Sequence, residues 1–147
     1  MRDQLERALA ANAGLLEGRQ VVGLRSVGGG SVGSTWKLNL SDGEELFVKV
    51  ARSENLLAEQ SGLQALRQWA DPGLLEVPKV HGCLPLSGQS ALLMAWWDAS
   101  SGEQFRLGRG LAKLHRASAA AGPGCFGWDQ DGFIGLGPQP SGWCDSW

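Results

Sequence analysis

The chain has 147 residues, of which 43% are apolar and 19% charged, and its formal net charge is −2 at pH 7. That length normally forms one domain, the lack of a basic excess argues against a nucleic-acid partner, and no apolar run is long enough to span a membrane. Early charges at Arg2, Asp3, Glu6 and Arg7 leave no room for a signal-peptide core. Cys83, Cys125 and Cys144 lack metal-ligand spacing, and two histidines, His81 and His115, are too few for a histidine-based metal site. Free thiols in a reducing, cytoplasmic setting are expected.

In chain order, Asp3 to Asn12 reads as a helix with Leu5 and Leu9 on one face, ending near Gly14. Val21 to Val27 is a strand that feeds the stretch GGGSVGSTWKLNLSDGEELFVKV, residues 28–50. Gly28, Gly30 and Gly33 fit G-x-G-x-x-G, but a dinucleotide site requires a helix immediately afterwards. Instead Trp36, Leu38 and Leu40 alternate with Lys37 and Asn39, the periodicity of a strand. Ser34 also stands where a P-loop needs lysine. Ser41-Asp42-Gly43-Glu44 is a hairpin turn, and Leu46 to Val50 returns as a strand carrying Lys49. A glycine-rich hairpin with a lysine on the third strand is the way protein-kinase-like folds grip ATP.

Lys49 sits in an apolar run and calls for an anionic partner. Asn55 to Trp69 reads as a helix with Leu56, Leu63, Leu66 and Ala70 near one face. Glu59, one turn in, is the favoured partner, while Glu54 competes but should precede the regular helix. Asp71-Pro72-Gly73 breaks this helix. Strands follow near Val80 to Leu84 and at Ala91 to Met94. The fold class expected is α+β: a protein-kinase-like N-lobe, a five-stranded and mostly antiparallel sheet plus a helix, with a hinge and the truncated start of a helical C-lobe. The corresponding units are 1–94 for the N-lobe, 95–100 for the hinge and 101–147 for the incomplete start of the C-lobe.

In such an architecture adenine lies against the hinge, with the Ala95 carbonyl and the Trp97 N–H as its contacts and Trp96 between them. The candidate nucleotide-binding residues are therefore Gly28, Gly29, Gly30, Ser31, Gly33, Lys49, Glu59, Ala95, Trp96 and Trp97. Leu107, Leu111 and Leu114 mark an amphipathic helix that ends at His115, with Lys113 and Arg116 outward. Ser118 to Gly124 reads as flexible. Beyond it, FGWDQDGFIGLGPQPSGWCDSW is dense in Gly and Pro and holds three of the seven tryptophans. An aromatic tail of that kind should cover something, yet it lacks periodicity and is expected to be irregular and loosely packed.

VGGGSVGSTWKL, ELFVKV, Glu59, VPKV, LGRGLAKLHR and above all the tail resemble the fructosamine kinases, also called ketosamine or protein-ribulosamine kinases. The tail is similar to that family's FG-x-D-x-DNFIG-x-x-PQP-N-x-W-x-x-W segment, with Gly132 where asparagine is frequent and Ser141 and Ser146 among the departures. Ala95 stands in for the usual acidic hinge residue, a mild change because adenine reads backbone there. The resemblance implies ATP-dependent phosphorylation of a sugar hydroxyl on a ketoamine-modified protein or amine, with Mg2+. It also implies substrate contacts from the tail, at Asp131, Phe133 and Trp143. The family's catalytic loop, HGD-L-x-x-x-N, is absent: His81-Gly82-Cys83 is not HGD and lies upstream of the hinge. Asp129, Asp131 and Asp145, the late carboxylates, lack an asparagine at that spacing. The expectation is thus an N-terminal portion, about half, of such a kinase. Its catalytic aspartate and metal ligands would lie elsewhere, and the portion would be inactive alone. A noncatalytic nucleotide-binding or regulatory fragment of the same superfamily is the alternative.

Overall fold

The computed structural model describes residues 1–28, 33–98 and 102–146. Helix α1 (Arg2–Ala11) and a 3-10 turn (Ala13–Leu16) precede strands β1 (Val21–Val27), β2 (Ser34–Leu40) and β3 (Glu45–Ala51). Helix α2 (Ser53–Trp69) leads to strands β4 (Val80–Leu86) and β5 (Gln89–Ala95), and helix α3 (Gln104–Ala121) follows. Four short strands close the chain: β6 (Phe126–Trp128), β7 (Gly132–Ile134), β8 (Gly137–Gln139) and β9 (Gly142–Cys144).

The first five strands form one sheet in the order β1-β2-β3-β5-β4, and each neighbouring pair is antiparallel. The hairpin between β2 and β3 turns where expected. Asp42 Oδ1 accepts from the Glu44 N–H at 3.0 Å, and Gly43 takes φ 88°, the left-handed region that glycine enters without steric cost. Pro85 falls in β4, an edge strand, where a missing N–H is tolerated.

Side chains alternate across a strand, so β3 divides its residues between two cores. Leu46, Val48 and Val50 join Leu5, Leu9, Leu16, Leu38, Leu40, Leu84 and Leu93 under α1 and the 3-10 turn. On the other face Ala51, Leu92 and Met94 pack with Leu56 of α2, flanked by Phe47, Leu63, Val80 and Cys83. Burial on both faces explains why β3 and β5 read as near-continuous apolar runs. Lys49 is on the α2 face.

The observed elements correct four expectations. Helix α2 begins at Ser53, so Glu54 lies in its first turn rather than before it. Ala95 is the last residue of β5, not the first of a free linker. Helix α3 continues past His115 to Ala121, because the run Arg116-Ala117-Ser118-Ala119-Ala120-Ala121 is rich in the best helix former. The tail is not irregular: β6 pairs with β9 and β7 with β8, both antiparallel. Among the described residues no helix is long and apolar enough to cross a membrane.

Candidate functional site

Lys49 Nζ lies 2.7 Å from Glu59 Oε2, with both side chains about 30% exposed (28% and 32%). The pairing follows from the fold. Lys49 points from β3 toward α2, and Glu59 faces back one turn beyond the buried Leu56. Glu54, the competing carboxylate, takes no part. A partly hydrated pair contributes little stability, about 0–1 kcal/mol; its effect is to hold an ammonium at a fixed place.

Gly33, at the end of the glycine turn, has φ +87°, and a Cβ there would lie 2.0 Å from the Val50 carbonyl oxygen. The backbone of the turn thus approaches β3 directly beside Lys49, as Ser34 and Thr35 pair with Val50 and Lys49. Thr35 Oγ1 donates to the Val27 carbonyl at 2.6 Å, tying the base of the turn. At Gly28 a Cβ would meet nothing within 4 Å. Gly29, Gly30 and Ser31 lie outside the described residues, as do the last two positions of the 95–100 hinge.

At the hinge, the Ala95 N–H donates to Lys79 O at 2.9 Å and the Trp96 N–H to Glu45 O at 3.2 Å. Among the described residues nothing accepts from the Trp97 N–H, and the Trp97 residue is 42% exposed. Trp96 Nε1 donates to Asp98 Oδ1 at 3.0 Å. Its ring lies 6.1 Å from that of Phe47 and 4.5 Å from Lys37 Nζ. Lys37 itself is 8% exposed and bonded to Glu45 Oε2 at 2.6 Å. Sequence reasoning took Lys37 as the polar half of an alternating strand. No signal short of the three-dimensional placement of Trp96 reveals that its face is covered.

An open cavity of about 1520 Å³ is bounded by Lys49 and Glu59 on one side and by Asp131, Phe133 and Trp143 on the other, with Trp69 and Trp128 also in its wall. The tail reaches α2 through Asn55 Nδ2, which donates to Gly135 O at 3.2 Å. Within the tail, Asp131 Oδ1 accepts from the Ser141 N–H and Asp129 Oδ1 from Trp143 Nε1, both at 2.8 Å. The structure therefore brings the lysine–glutamate pair and the three tail residues to one cavity, with Asp131 already committed to a backbone bond. Phe133 is half-buried and Trp143 exposed, as a weakly covered tail should be; Trp147 lies outside the described residues.

Arg116 and His115 also line this cavity. Lys113, expected to point outward, bonds Asp71 Oδ2 at 2.8 Å, and that hydrogen bond, with a second from the Gly73 N–H, lowers the Asp71 pKa. His81 lies elsewhere, with a side chain only 3% exposed and 3.8 Å from Glu44. Burial, then Lys79 and Arg19, lower its pKa. Burial raises the pKa of the Cys83 thiol, and all three cysteines are free. Among the described residues no group of three His, Cys, Asp or Glu could hold a metal ion.

Residues 4–147 match the family model for fructosamine kinase. A Synechocystis protein named as a probable ketoamine kinase is 35% identical over 129 residues, which is 84% of this chain and 41% of that protein. The chloroplastic protein-ribulosamine 3-kinase of Arabidopsis thaliana is 32% identical over 90% of this chain and 41% of its own length. The solved structure of a candidate fructosamine-3-kinase from Haemophilus somnus shares the fold, with a TM-score of 0.75 at 24% identity over 100% of this chain and 49% of that one. Another, from Thermobifida fusca, gives 0.64 at 30% identity over 86% and 44%. The chain thus spans about two fifths of the length of these curated relatives.

Proposed function

Since the chain belongs to the fructosamine kinase family, we propose that it is the ATP-gripping part of a kinase that phosphorylates a sugar hydroxyl on ketoamine-modified proteins or amines. The observation that carries this reading is the Lys49–Glu59 pair, 2.7 Å apart, on the wall of the large cavity and beside the close-approaching Gly33. In this reading the Lys49 ammonium draws in the phosphate oxygens, Glu59 fixes where it stands, and the glycine turn of residues 28–33 brings backbone N–H groups over the phosphates. The Ala95 carbonyl and the Trp97 N–H take the adenine edge. The units are 1–94, 95–100 and 101–147, and the sugar end of the substrate faces Asp131, Phe133 and Trp143. Mg2+ accompanies ATP, but the described residues do not fit it, so no step is derived through it. A cytoplasmic location belongs to the same reading.

Titrating the 147-residue chain with ATP tests it. Binding should be weak, in the high micromolar to millimolar range or about −4 to −5 kcal/mol, and should weaken further in Lys49→Met and Glu59→Gln. Equal binding by wild type and Lys49→Met would refute the site. The chain by itself should transfer no phosphate, because no residue of the described set pairs a carboxylate with an asparagine as a catalytic loop does. Transfer of labelled phosphate to a fructosamine by the purified chain would overturn that part.

A further inference from the structure

A second buried lysine shares the sheet face of Lys49. Lys37 on β2 pairs in register with Phe47, which precedes Lys49 by two residues on β3. Two residues of strand span about 7 Å, so Lys37 sits at the end of the site away from the phosphate-facing lysine, where the chain leaves β5.

Glu45 connects the two sides of this contact. Its carboxylate holds Lys37 Nζ at 2.6 Å, and Asn39 Nδ2 reaches its other oxygen at 3.5 Å. Its backbone carbonyl receives the Trp96 N–H at 3.2 Å. Lys37 then lies 4.5 Å from the Trp96 ring centroid, opposite the edge where Trp96 Nε1 donates to Asp98. Burying a charge costs free energy unless it is paired, and a methionine or leucine would fill the space beneath an indole equally well. What the cation adds is direction, because it is drawn to the face of the ring and not to its edge. Ring face, ring N–H and backbone N–H are thus each tied to a different group, which fixes Trp96 between Ala95 and Trp97.

We propose that Lys37 is a positioning residue for the nucleotide site. Clamped by Glu45, it seats Trp96 and so sets the backbone edge at Ala95 and Trp97 against which the base docks. The proposal rests on the nucleotide-site reading above.

The test uses the whole 147-residue chain, with near-UV circular dichroism and ATP titration by NMR. The Trp96 contribution to the dichroism is defined by Trp96→Phe. Lys37→Met should alter that same band and weaken ATP binding about fivefold, the scale of one cation–π contact. Lys37→Arg, which keeps a cation over the ring, should restore both. In the Trp96→Phe background Lys37→Met should change neither, the non-additivity expected of residues that act through one another. An unchanged Trp96 band in Lys37→Met refutes the seating. Equal weakening in both backgrounds refutes action through Trp96. A wild type that binds no ATP refutes the nucleotide-site reading, while the dichroism still decides the seat. Should Lys37→Met fail to fold, Glu45→Gln loosens the clamp from its half-buried end; an unchanged Trp96 band there also overturns the proposal.

Discussion

Single residues here answer to two kinds of constraint, steric and electrostatic. Gly33 shows the first: with a positive φ and the Val50 carbonyl oxygen 2.0 Å from any added Cβ, Gly33→Ala should lose about 2–4 kcal/mol, strain plus a forced shift of β3. Its denaturant midpoint against wild type measures this. His81 shows the second. Its folded pKa is lowered by burial and by Lys79 and Arg19, opposed by Glu17, so the fold favours the neutral ring and the unfolded chain binds more protons near the ordinary imidazole value of 6.5. The stability it contributes is complete above that value and is lost as pH falls through the lower folded one. His81→Gln should therefore flatten the fall in melting temperature below pH 6.5; an unchanged slope would show that His81 does not cause it. Lys49 and Glu59 were legible in sequence because a lysine in an apolar strand demands an anion. Lys37 was not, because alternation marks a polar position as outward and cannot say that Trp96 will cover it.

At the level of elements, helix α3 is fastened to the loop that ends α2. Lys113 bonds Asp71, Arg106 Nη2 donates to Gly73 O at 2.6 Å, and Gly110 lies so close to Leu75 that an added Cβ would stand 2.6 Å from the Leu75 Cβ and 3.1 Å from its backbone nitrogen. Gly110→Ala should therefore push α3 off this loop despite alanine's better helix propensity, costing about 1–3 kcal/mol. Gly108→Ala, with nothing within 4 Å, should gain up to about 1 kcal/mol. Hydrogen exchange in residues 104–121 should speed up in the first and slow in the second, and the same sign in both would discard the docking argument. The long strands, the hairpin and both long helices could be read from periodicity and turn chemistry. Three-residue strands could not, since β6 to β9 carry no periodicity and their Gly and Pro read as turns. The end of α3 was misplaced because Ser118 and a row of small residues resemble a linker, although alanine propagates a helix well.

Across the whole molecule, the packed interior stops at the end of the sheet. Among the described residues, Leu114 is the one buried hydrophobic side chain beyond Met94. From residue 104 onward Phe105, Ile134 and Leu136 are 76%, 75% and 67% exposed, and Leu107, Leu111, Phe126, Trp128 and Trp143 are all exposed as well. Large apolar side chains gathered in one stretch of chain, on a helix and two short ladders, form a surface of the kind that seeks cover. In the proposed reading, what covers it is the rest of a fold whose curated relatives are more than twice as long, this chain spanning 41% of them. The 147-residue chain on its own should then bind a hydrophobic dye and associate as its concentration rises. Replacing Phe105, Ile134 and Leu136 together by serine should reduce both effects, because these three side chains contribute most to the exposed area. Stability should change little, within about 0.5 kcal/mol per site, because none of the three is in the core. Sedimentation and dye fluorescence of the two proteins at matched concentrations, with melts of each, make the comparison. A triple variant that binds dye and associates like wild type would mean that the surface is not the source, and a large drop in its melting temperature would mean that these side chains pack into the fold after all.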